Sequence, residues 1–385
     1  MVNPELIIGF DAKRIVRNGT GLGSYGRTLV NDLAALPADQ QLRLYAPDKG
    51  CDDLRQQVVE RPNVQFCYPA PSHLPFYKQL WRTRRIVDDL VADGVQVFHG
   101  LSGELPIGLR QAGIKSVVTI HDLIFMRHPE WYNRIDTKIY TWKFRQTIRE
   151  ADRIIAISER TRQDIMELGG VSKDRISLIY QSFAPRFSMT ASEQSKAAVK
   201  AHYQLPERFV LSVGTIERRK NLRLAAEAIG LLPADVHLVA VGRQTDYAHE
   251  LPKSNRVHLL SGVDDAALAA IYALAEVFVY PSRYEGFGIP IIEAIATGLP
   301  VVACTGSCLE EAGGPDSLYV GPDDVQGMAE ALRAVLHGAD GRDERIARSR
   351  QYIRRFHGTD VAGQVRAIYE ELINAHNSSN HQVEK

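Results

Sequence analysis

The sequence predicts an α/β protein with two domains, each built on a parallel sheet covered by helices. The chain has 385 residues, of which 45% are hydrophobic, and this length is sufficient for two or three separate cores. Short β-type runs alternate with helical patterns along most of the chain, which is typical of parallel sheets. The pattern breaks near Gln181–Ser195, where the segment loses its apolar period and gains polar residues and proline.

Composition excludes several classes of protein. The formal net charge of +0 argues against a general nucleic-acid-binding function. No apolar run is long enough to cross a bilayer, and the first ten residues lack the pattern of a signal peptide. The neutral charge therefore predicts no nucleic-acid partner. The cysteines do not have the spacing of a disulfide framework, so we expect a cytoplasmic location.

Thirteen β-type runs carry the two predicted sheets. The first half contains Leu6–Phe10, Gln41–Ala46, Val64–Tyr68, Val95–Gly100, Ser116–Asp122, Arg153–Ser158 and Ile176–Tyr180. The second half contains Phe209–Gly214, His237–Gly242, Val257–Gly262, Val277–Ser282, Pro300–Cys304 and Ser317–Val320. Ligands in such folds bind beyond the carboxyl ends of the strands, so the predicted site is the cleft between the two domains.

The stretch Val277–Cys304 contains the strongest local signal. A strand, a turn-rich loop and a short helix follow one another, with Pro290 at the expected first helical position and Gly298 at the helix end. Gly286 and Gly288 lead into the helix N-terminus, where N–H groups and the helix dipole favour an anion. The simpler interpretation is a strand–helix–strand unit with a capped helix.

Charged residues next to predicted strands make a diphosphate site a candidate. Glu285 lies in the loop and Glu293 lies one turn into the helix. Gly214 ends an earlier strand and precedes a cationic turn with Arg219 and Lys220, a pair that can neutralise a diphosphate. The alternative for this pair is a charged turn in solvent.

His121 is a second candidate, because it ends an apolar strand together with Asp122. In a parallel sheet this position faces the cleft, where a histidine can bind sugar hydroxyls or a developing charge. The alternative is a partly buried histidine whose hydrogen bonds are satisfied within the protein.

The segment Gly21–Gly26, GLGSYG, matches the dinucleotide pattern G-x-G-x-x-G and raises the alternative of an NAD-dependent oxidoreductase. Asp48 lies at a suitable distance for a ribose contact, but Asp11–Thr20 separates the motif from the preceding strand. A second interpretation is a glycine-rich loop before a helix that begins at Tyr25, in which the glycines let a phosphate or sugar approach the backbone. The simplest alternative is a plain tight turn before that helix.

A metal site is not expected. The sequence has no Asp-x-Asp pair of the kind that holds a divalent ion on a sugar diphosphate. Cys304 and Cys308 have no second pair with zinc-type spacing, so we interpret them as packing thiols.

Together these motifs resemble the retaining glycosyltransferases of family 4, which have the GT-B fold of two Rossmann-like domains facing across a cleft. GTIERRKN at 214–221, EGFG at 285–288 and the seven residues between Glu285 and Glu293 carry the resemblance. It implies an acceptor domain at 1–183, a nucleotide-sugar domain at 184–359 and a helix at about 360–375 that packs on the first domain. The polar tail 376–385 is predicted to be disordered.

The resemblance also implies roles for individual residues. The donor is a nucleotide-diphosphate sugar, which is a substrate, and no cofactor is expected. Catalytic roles fall to Glu285 beside the donor sugar, His121 facing the reacting sugar, and Arg219 and Lys220 on the diphosphate. Further donor contacts fall to Glu293 on the ribose, to Gly214, to the backbone of Phe287, Gly288 and Ile289, and to Gly21 and Gly23.

The segments Phe76–Arg85 and Trp131–Arg149 interleave aromatic and basic residues, which suits an anionic membrane surface on the inner face of the plasma membrane. Helices that pack on the sheet with solvated charges are the alternative. The run HDLIF-x-RHPEW resembles mannosyltransferases of lipopolysaccharide and capsule assembly and implies GDP-mannose and a glycan or lipid-linked glycan acceptor. A nucleotide-sugar epimerase of the same fold stays an alternative. The chain departs from the family pattern at Arg218 and at Gln181–Ser182.

Overall fold

The computed structural model describes residues 5–37, 39–73, 75–189, 191–356 and 360–383, with side chains except at 185 and 376–383. The chain divides into two compact units, Met1–Gln181 with Asp360–Lys385, and Ser182–Thr359. The division predicted from the sequence lay after residue 183. The disordered tail predicted at 376–385 stays a prediction, because its side chains and last two residues lie outside the described part of the chain.

The first unit contains a seven-stranded parallel sheet with the order β3-β2-β1-β4-β5-β6-β7. Its strands are β1 (Leu6–Asp11), β2 (Gln40–Tyr45), β3 (Val64–Cys67), β4 (Val97–Gly100), β5 (Lys115–Ile120), β6 (Arg153–Ala156) and β7 (Ile176–Leu178). The strand order reverses between β1 and β4, which pair in parallel from Ile8 to Phe10. A crevice at the carboxyl ends is expected at such a reversal.

The second unit contains a six-stranded parallel sheet with the order β10-β9-β8-β11-β12-β13. Its strands are β8 (Arg208–Val213), β9 (Val236–Val241), β10 (Val257–Leu260), β11 (Val277–Tyr280), β12 (Val301–Cys304) and β13 (Leu318–Val320). The reversal here lies between β8 and β11, where Val210 is opposite Val277. All thirteen predicted strands are confirmed, with ends that differ by at most two residues.

Helices connect most of the strands. They are α1 (Lys13–Arg17), α2 (Gly21–Ala35), α3 (Asp52–Arg55), α4 (Tyr77–Leu80), α5 (Ile86–Ala92), α6 (Ile124–Arg127), α7 (Arg134–Glu150), α8 (Glu159–Gly169), α9 (Glu193–His202), α10 (Leu222–Ile229), α11 (Asp265–Leu274), α12 (Ile289–Thr297), α13 (Leu309–Gly313), α14 (Val325–Arg333), α15 (Arg342–Tyr352) and α16 (Val361–Val383). A π-helical turn, Trp81–Arg85, joins α4 to α5. The described helices include none whose length and hydropathy would let it span a membrane.

The glycine motif at Gly21–Gly26 corrects one prediction. It is neither a loop nor a turn before a helix at Tyr25, because α2 already begins at Gly21. Glycine is a poor helix former, so the sequence pattern placed the start too late. Close packing explains the glycines: a Cβ on Gly23 would lie 1.8 Å from the carbonyl oxygen of Asn18, and one on Gly26 would lie 2.9 Å from Ile15.

Apolar residues cover both faces of the first sheet, because successive strand residues alternate between faces. Val117 belongs to the core that packs under α2, and its neighbour Val118 belongs to the core on the opposite face. The last helix, α16, completes the first of these cores with four buried residues, Ala362, Val365, Ile368 and Tyr369. The Tyr369 hydroxyl lies 2.6 Å from Nδ1 of buried His99 on β4.

Candidate active site

Two segments meet where the strand order of the second sheet reverses. The turn Arg218–Lys220 follows β8, and the loop that contains Glu285 follows β11, the neighbouring strand. Because both segments leave the carboxyl ends of adjacent strands, their side chains share one crevice. The backbone N–H of Arg283 donates to the carbonyl of Arg219 at 3.0 Å and joins the two segments directly.

Glu285 binds both predicted cations. Its Oε2 lies 3.0 Å from Nη1 of Arg219, and its Oε1 lies 2.5 Å from Nζ of Lys220. Lys220 also donates to the hydroxyl of Tyr280 at 2.8 Å, and Arg219 donates to the carbonyl of Tyr284 at 2.7 Å. The structure therefore brings three of the four predicted catalytic residues into one hydrogen-bonded cluster.

Burial and charge fix the ionisation of this cluster. Glu285 is 8% exposed. Burial raises the pKa of its carboxyl, but Lys220 and Arg219 outweigh that effect and lower the pKa to about 2. Burial lowers the pKa of Lys220, and the Glu285 charge reverses this and raises the pKa above its ordinary value. All three groups are charged at neutral pH.

Arg219 has a second carboxylate partner, Glu217, whose Oε1 accepts from Nη2 at 2.8 Å. Its neighbour Arg218 is 76% exposed in its side chain and pairs with Glu250 at 2.7 Å. Arg219 and Lys220 are thus mostly buried beside Glu285, whereas Arg218 lies on the surface.

Two glycines shape the backbone around the cluster. Gly214 has φ +144°, and a Cβ there would lie 3.7 Å from the side-chain end of Lys220. Gly288 has φ +118° directly before α12, a conformation that disfavours other residues. Ile289 is the first residue of α12 and Pro290 is the second, so the proline lies one position later than predicted. Gly298 ends the helix in the left-handed conformation, as predicted.

Buried thiols hold the Glu285 loop by its backbone. Cys308 lies 3.1 Å from the carbonyl oxygen of Glu285 and 2.9 Å from that of Phe287. Cys304 lies 3.2 Å from the carbonyl oxygen of Pro281. Both thiols are at most 1% exposed, so they pack against the loop as the sequence analysis interpreted them.

Glu293 lies on α12 and has a different partner. The hydroxyl of Tyr272 donates to its Oε2 at 3.1 Å. Burial raises the pKa of Glu293 to about 7, although the hydrogen bond from Tyr272 lowers it. Glu293 is therefore divided between its acid and carboxylate forms near neutral pH, unlike Glu285.

His121, in the first unit, has both ring nitrogens engaged. Nε2 lies 2.9 Å from the carbonyl oxygen of Leu101, and Nδ1 lies 3.2 Å from Nε2 of Gln181. The carbonyl requires a proton on His121 Nε2, so Nδ1 accepts from the amide. Burial lowers the pKa of His121 to about 4. This geometry is that of a satisfied histidine, and its predicted catalytic role stays a prediction.

Sequence reasoning missed four side chains that contact the candidate residues: Glu217, Tyr272, Tyr280 and Gln181. Tyr280 could have been found, because it is the last residue of β11 and strand ends carry site residues. Gln181 replaces a residue of the family pattern, and this departure was noted without a contact being inferred. The described residues include no group of three or more His, Cys, Asp or Glu arranged to hold a metal ion.

The oxidoreductase alternative is not supported. Asp48, the proposed ribose ligand, forms ion pairs with Arg17 and with Lys78, the latter at 2.7 Å. The GLGSYG segment is the start of a helix packed on α1 and does not follow a strand directly.

Two parallel sheets of this kind, of seven and six strands with helices between them, are the architecture of the GT-B glycosyltransferases. A family model described as glycosyl transferases group 1 matches residues 207–338, and one described as glycosyltransferase family 4 matches residues 19–183. The chain therefore carries a glycosyltransferase family 4 domain followed by a glycosyl transferase group 1 domain, and it is a hexosyltransferase.

One curated relative and two solved structures illustrate what the chain is similar to, and the solved structures share its fold. O-antigen chain mannosyltransferase B of Escherichia coli is 27% identical over 92% of this chain and 96% of its own. Sucrose-phosphate synthase from Thermosynechococcus elongatus has a TM-score of 0.76 at 23% identity and covers 96% of this chain and 100% of its own. Anabaena HepE, solved with UDP and glucose, has a TM-score of 0.72 at 17% identity over 94% of this chain and 99% of its own.

Proposed function

We propose that the protein transfers mannose from GDP-mannose to a glycan or lipid-linked glycan acceptor, with retention of configuration and without a metal ion. The observation that carries the proposal is the buried cluster of Arg219, Lys220 and Glu285 at the strand reversal of the second sheet. The mannosyltransferase name of the Escherichia coli relative supports the sugar. The UDP and glucose bound to the Anabaena protein support a nucleotide-sugar donor.

Glycosyl transfer requires stabilisation of charge on the leaving group. The anomeric carbon becomes positive while the diphosphate gains negative charge. Arg219 and Lys220 are already oriented by Glu285, Tyr280 and Tyr284. Donors that are fixed before the reaction stabilise the transition state without reorganising. These two cations supply the positive charge that a metal ion provides in other enzymes.

Retention can arise in two ways, and the cluster favours one of them. Double displacement requires a carboxylate nucleophile beneath the sugar ring. Glu285 is a weak nucleophile, because two cations occupy its oxygens and lower its pKa to about 2. We therefore assign retention to attack from the face of the departing diphosphate, whose oxygen accepts the proton of the acceptor hydroxyl. A sugar trapped covalently on Glu285 would contradict this assignment.

Glu293 contributes to the nucleoside part of the donor. Within the described part of the chain its carboxylate accepts one hydrogen bond, from Tyr272, which leaves lone pairs that can accept from ribose hydroxyls. Because the pKa of Glu293 is about 7, the accepting form increases as the pH rises through neutrality.

Helix α7 supports attachment to an anionic membrane. Ile135, Ile139 and Trp142 are 68%, 45% and 51% exposed, and their spacing puts them on one face of the helix. The helix carries five basic residues and two acidic ones. Apolar side chains bordered by cations suit the interface of an anionic bilayer, so we assign this face to the inner surface of the plasma membrane.

A binding and transfer experiment tests the function. Thermal shifts with GDP, UDP and NAD report which nucleotide the protein binds, and we expect the largest shift with GDP. Transfer of radiolabelled mannose from GDP-mannose to a mannoside acceptor then tests the reaction. A shift with NAD alone contradicts the proposal, and conversion of the donor sugar without an acceptor indicates an epimerase.

A further inference from the structure

A cluster of cations lies at the strand reversal of the first sheet. Asp11 is the last residue of β1, and Glu104 follows the neighbouring strand β4. Both bind Arg82, with Nη2 to Asp11 Oδ2 and Nη1 to Glu104 Oε2, each at 2.6 Å. Lys143 also reaches Glu104, at 3.1 Å. The cluster thus occupies the place in this sheet at which α/β folds bind ligands.

Arg82 and Lys143 line a pocket with a cavity volume of about 250 Å³. Its lining includes five cations and one carboxylate: Lys13, Arg17, Lys78, Arg82, Lys143 and Asp48. Asp11 and Glu104 bind Arg82 from outside the lining. When they are counted, five cations face three carboxylates, so the pocket has an excess of two positive charges. We call this the basic pocket.

Lys13 carries part of that excess. Among the described residues it forms no ion pair, whereas each of the other four cations pairs with Asp48, Asp11 or Glu104. Its side chain is half-buried, and burial together with the nearby Arg82 charge lowers its pKa. An anion bound beside Lys13 would favour its charged form and so offset both effects.

The backbone around Arg82 has an unusual conformation. It lies in the π-helical turn Trp81–Arg85, a conformation that is rare and often occurs at functional sites. Its side chain is only 16% exposed. A buried guanidinium held by two carboxylates presents a fixed edge to the pocket rather than a mobile surface charge.

An apolar cavity adjoins the basic pocket. It shares Arg82, Thr83 and Lys143 with that pocket, and Phe98, Ile107 and Trp142 are among its apolar walls. A ligand that occupied both would carry an anionic group next to an apolar part. This combination favours a ligand with a charged group over a purely neutral glycan.

We propose that the basic pocket binds the phosphate or diphosphate group of a phosphorylated acceptor. This inference rests on the proposed function, because it names the class of acceptor for the same transfer reaction. The excess of two positive charges matches a phosphate monoester or a diphosphate diester, and the adjoining apolar cavity suits the group that the phosphate links to the glycan.

Inorganic pyrophosphate tests the pocket by calorimetric titration. The full-length chain carries Arg219→Ala and Lys220→Ala in this experiment, so that the donor cations do not contribute. Lys13→Met keeps the apolar stem and removes the charge, and Lys173→Met at an exposed position of the same unit is the matched control. Loss of one charge-assisted contact should weaken pyrophosphate binding about tenfold for Lys13→Met. The Lys173→Met control should bind as its parent does.

Two results would overturn the inference. One is absence of pyrophosphate binding to the parent chain, or equal affinity of the Lys13 and Lys173 variants. The other is binding of phosphatidylglycerol vesicles that depends on Lys13 while pyrophosphate does not bind, which would assign the pocket to a lipid headgroup.

Affinity for GDP, measured with Arg219 and Lys220 intact, should not change in Lys13→Met. A chain that binds pyrophosphate in the pocket but no nucleotide would contradict only the proposed donor.

Discussion

Lys220 Nζ lies 2.5 Å from Glu285 Oε1, and the two groups come from loops that follow neighbouring strands of the second sheet. Because both are buried, each depends on the other to remain charged. Removal of Glu285 leaves Lys220 without its carboxylate, and removal of Lys220 leaves Glu285 with Arg219 alone, so this pair contributes to stability as well as to the proposed chemistry.

Arg219→Ala and Lys220→Ala should each reduce turnover by about 100-fold or more, because each removes a fixed donor from the leaving group. The unfolding free energy of Lys220→Ala should also fall by about 1–3 kcal/mol, since Glu285 loses a partner. Arg218→Ala is the matched control, because Arg218 is exposed and pairs with Glu250. Steady-state kinetics and urea unfolding measure both effects, and equal losses in all three variants would remove the assigned role.

Glu293 should make donor binding depend on pH. Its folded pKa of about 7 lies above the ordinary value of 4.5. Affinity for GDP should therefore rise between pH 6 and pH 8 as the carboxylate forms, and Glu293→Gln should abolish this rise. The same shift lowers stability as pH increases from 4.5 to 7, because ionisation of the buried group is unfavourable. Titrations of the wild type and of Glu293→Gln with GDP at several pH values test this prediction. The same dependence of GDP affinity on pH in the two proteins would contradict it.

The glycines of α2 allow a matched comparison. A Cβ on Gly21 meets nothing within 4 Å, whereas one on Gly23 lies 1.8 Å from a backbone oxygen. Gly23→Ala should lower the unfolding free energy by about 2 kcal/mol or more, and Gly21→Ala should not lower it. Loss of transfer in a stable Gly21→Ala protein would support close approach of the donor, and full activity would leave that glycine with no role in binding.

His121 should stay neutral across the physiological range. Its pKa of about 4 lies below the ordinary 6.5 because it is buried. Stability should fall as pH decreases from 6.5 to 4, since the unfolded chain takes up a proton that the folded ring resists. The difference in unfolding free energy between wild type and His121→Gln, measured at several pH values, isolates the contribution of His121 to this pH dependence. A change near pH 6.5 in the wild-type rate profile that disappears in the variant would contradict the neutral ring.

The exposed face of α7 should mediate membrane binding. Ile135→Asp combined with Ile139→Asp should reduce co-sedimentation with phosphatidylglycerol liposomes severalfold, because both exposed apolar side chains are lost. Transfer to a soluble acceptor should not change. Val59→Asp, at another exposed apolar residue outside α7, is the control. Binding that is the same with neutral liposomes would favour a solvated helix instead.

Strand positions and the cationic turn could be predicted from the sequence, because each depends on a run of consecutive apolar or charged residues. The pairing of Glu285 with Lys220 spans 65 residues and depends on the strand order, which the alternation alone does not specify. The start of α2 was misplaced because packing against Asn18 and Ile15 overrides the low helix propensity of glycine. His121 was found as a strand end, but its partners come from distant segments.

The last helix has a consequence for synthesis of the chain. Residues 1–181 leave the ribosome before Ser182–Thr359, yet the first unit lacks Ala362, Val365, Ile368 and Tyr369 until α16 emerges. The second unit can therefore complete its core while the first still exposes apolar surface. At that stage His99 also lacks its partner Tyr369. A nonsense mutation just before Ala362 would leave the first unit unfinished, although the second unit precedes it directly in the chain.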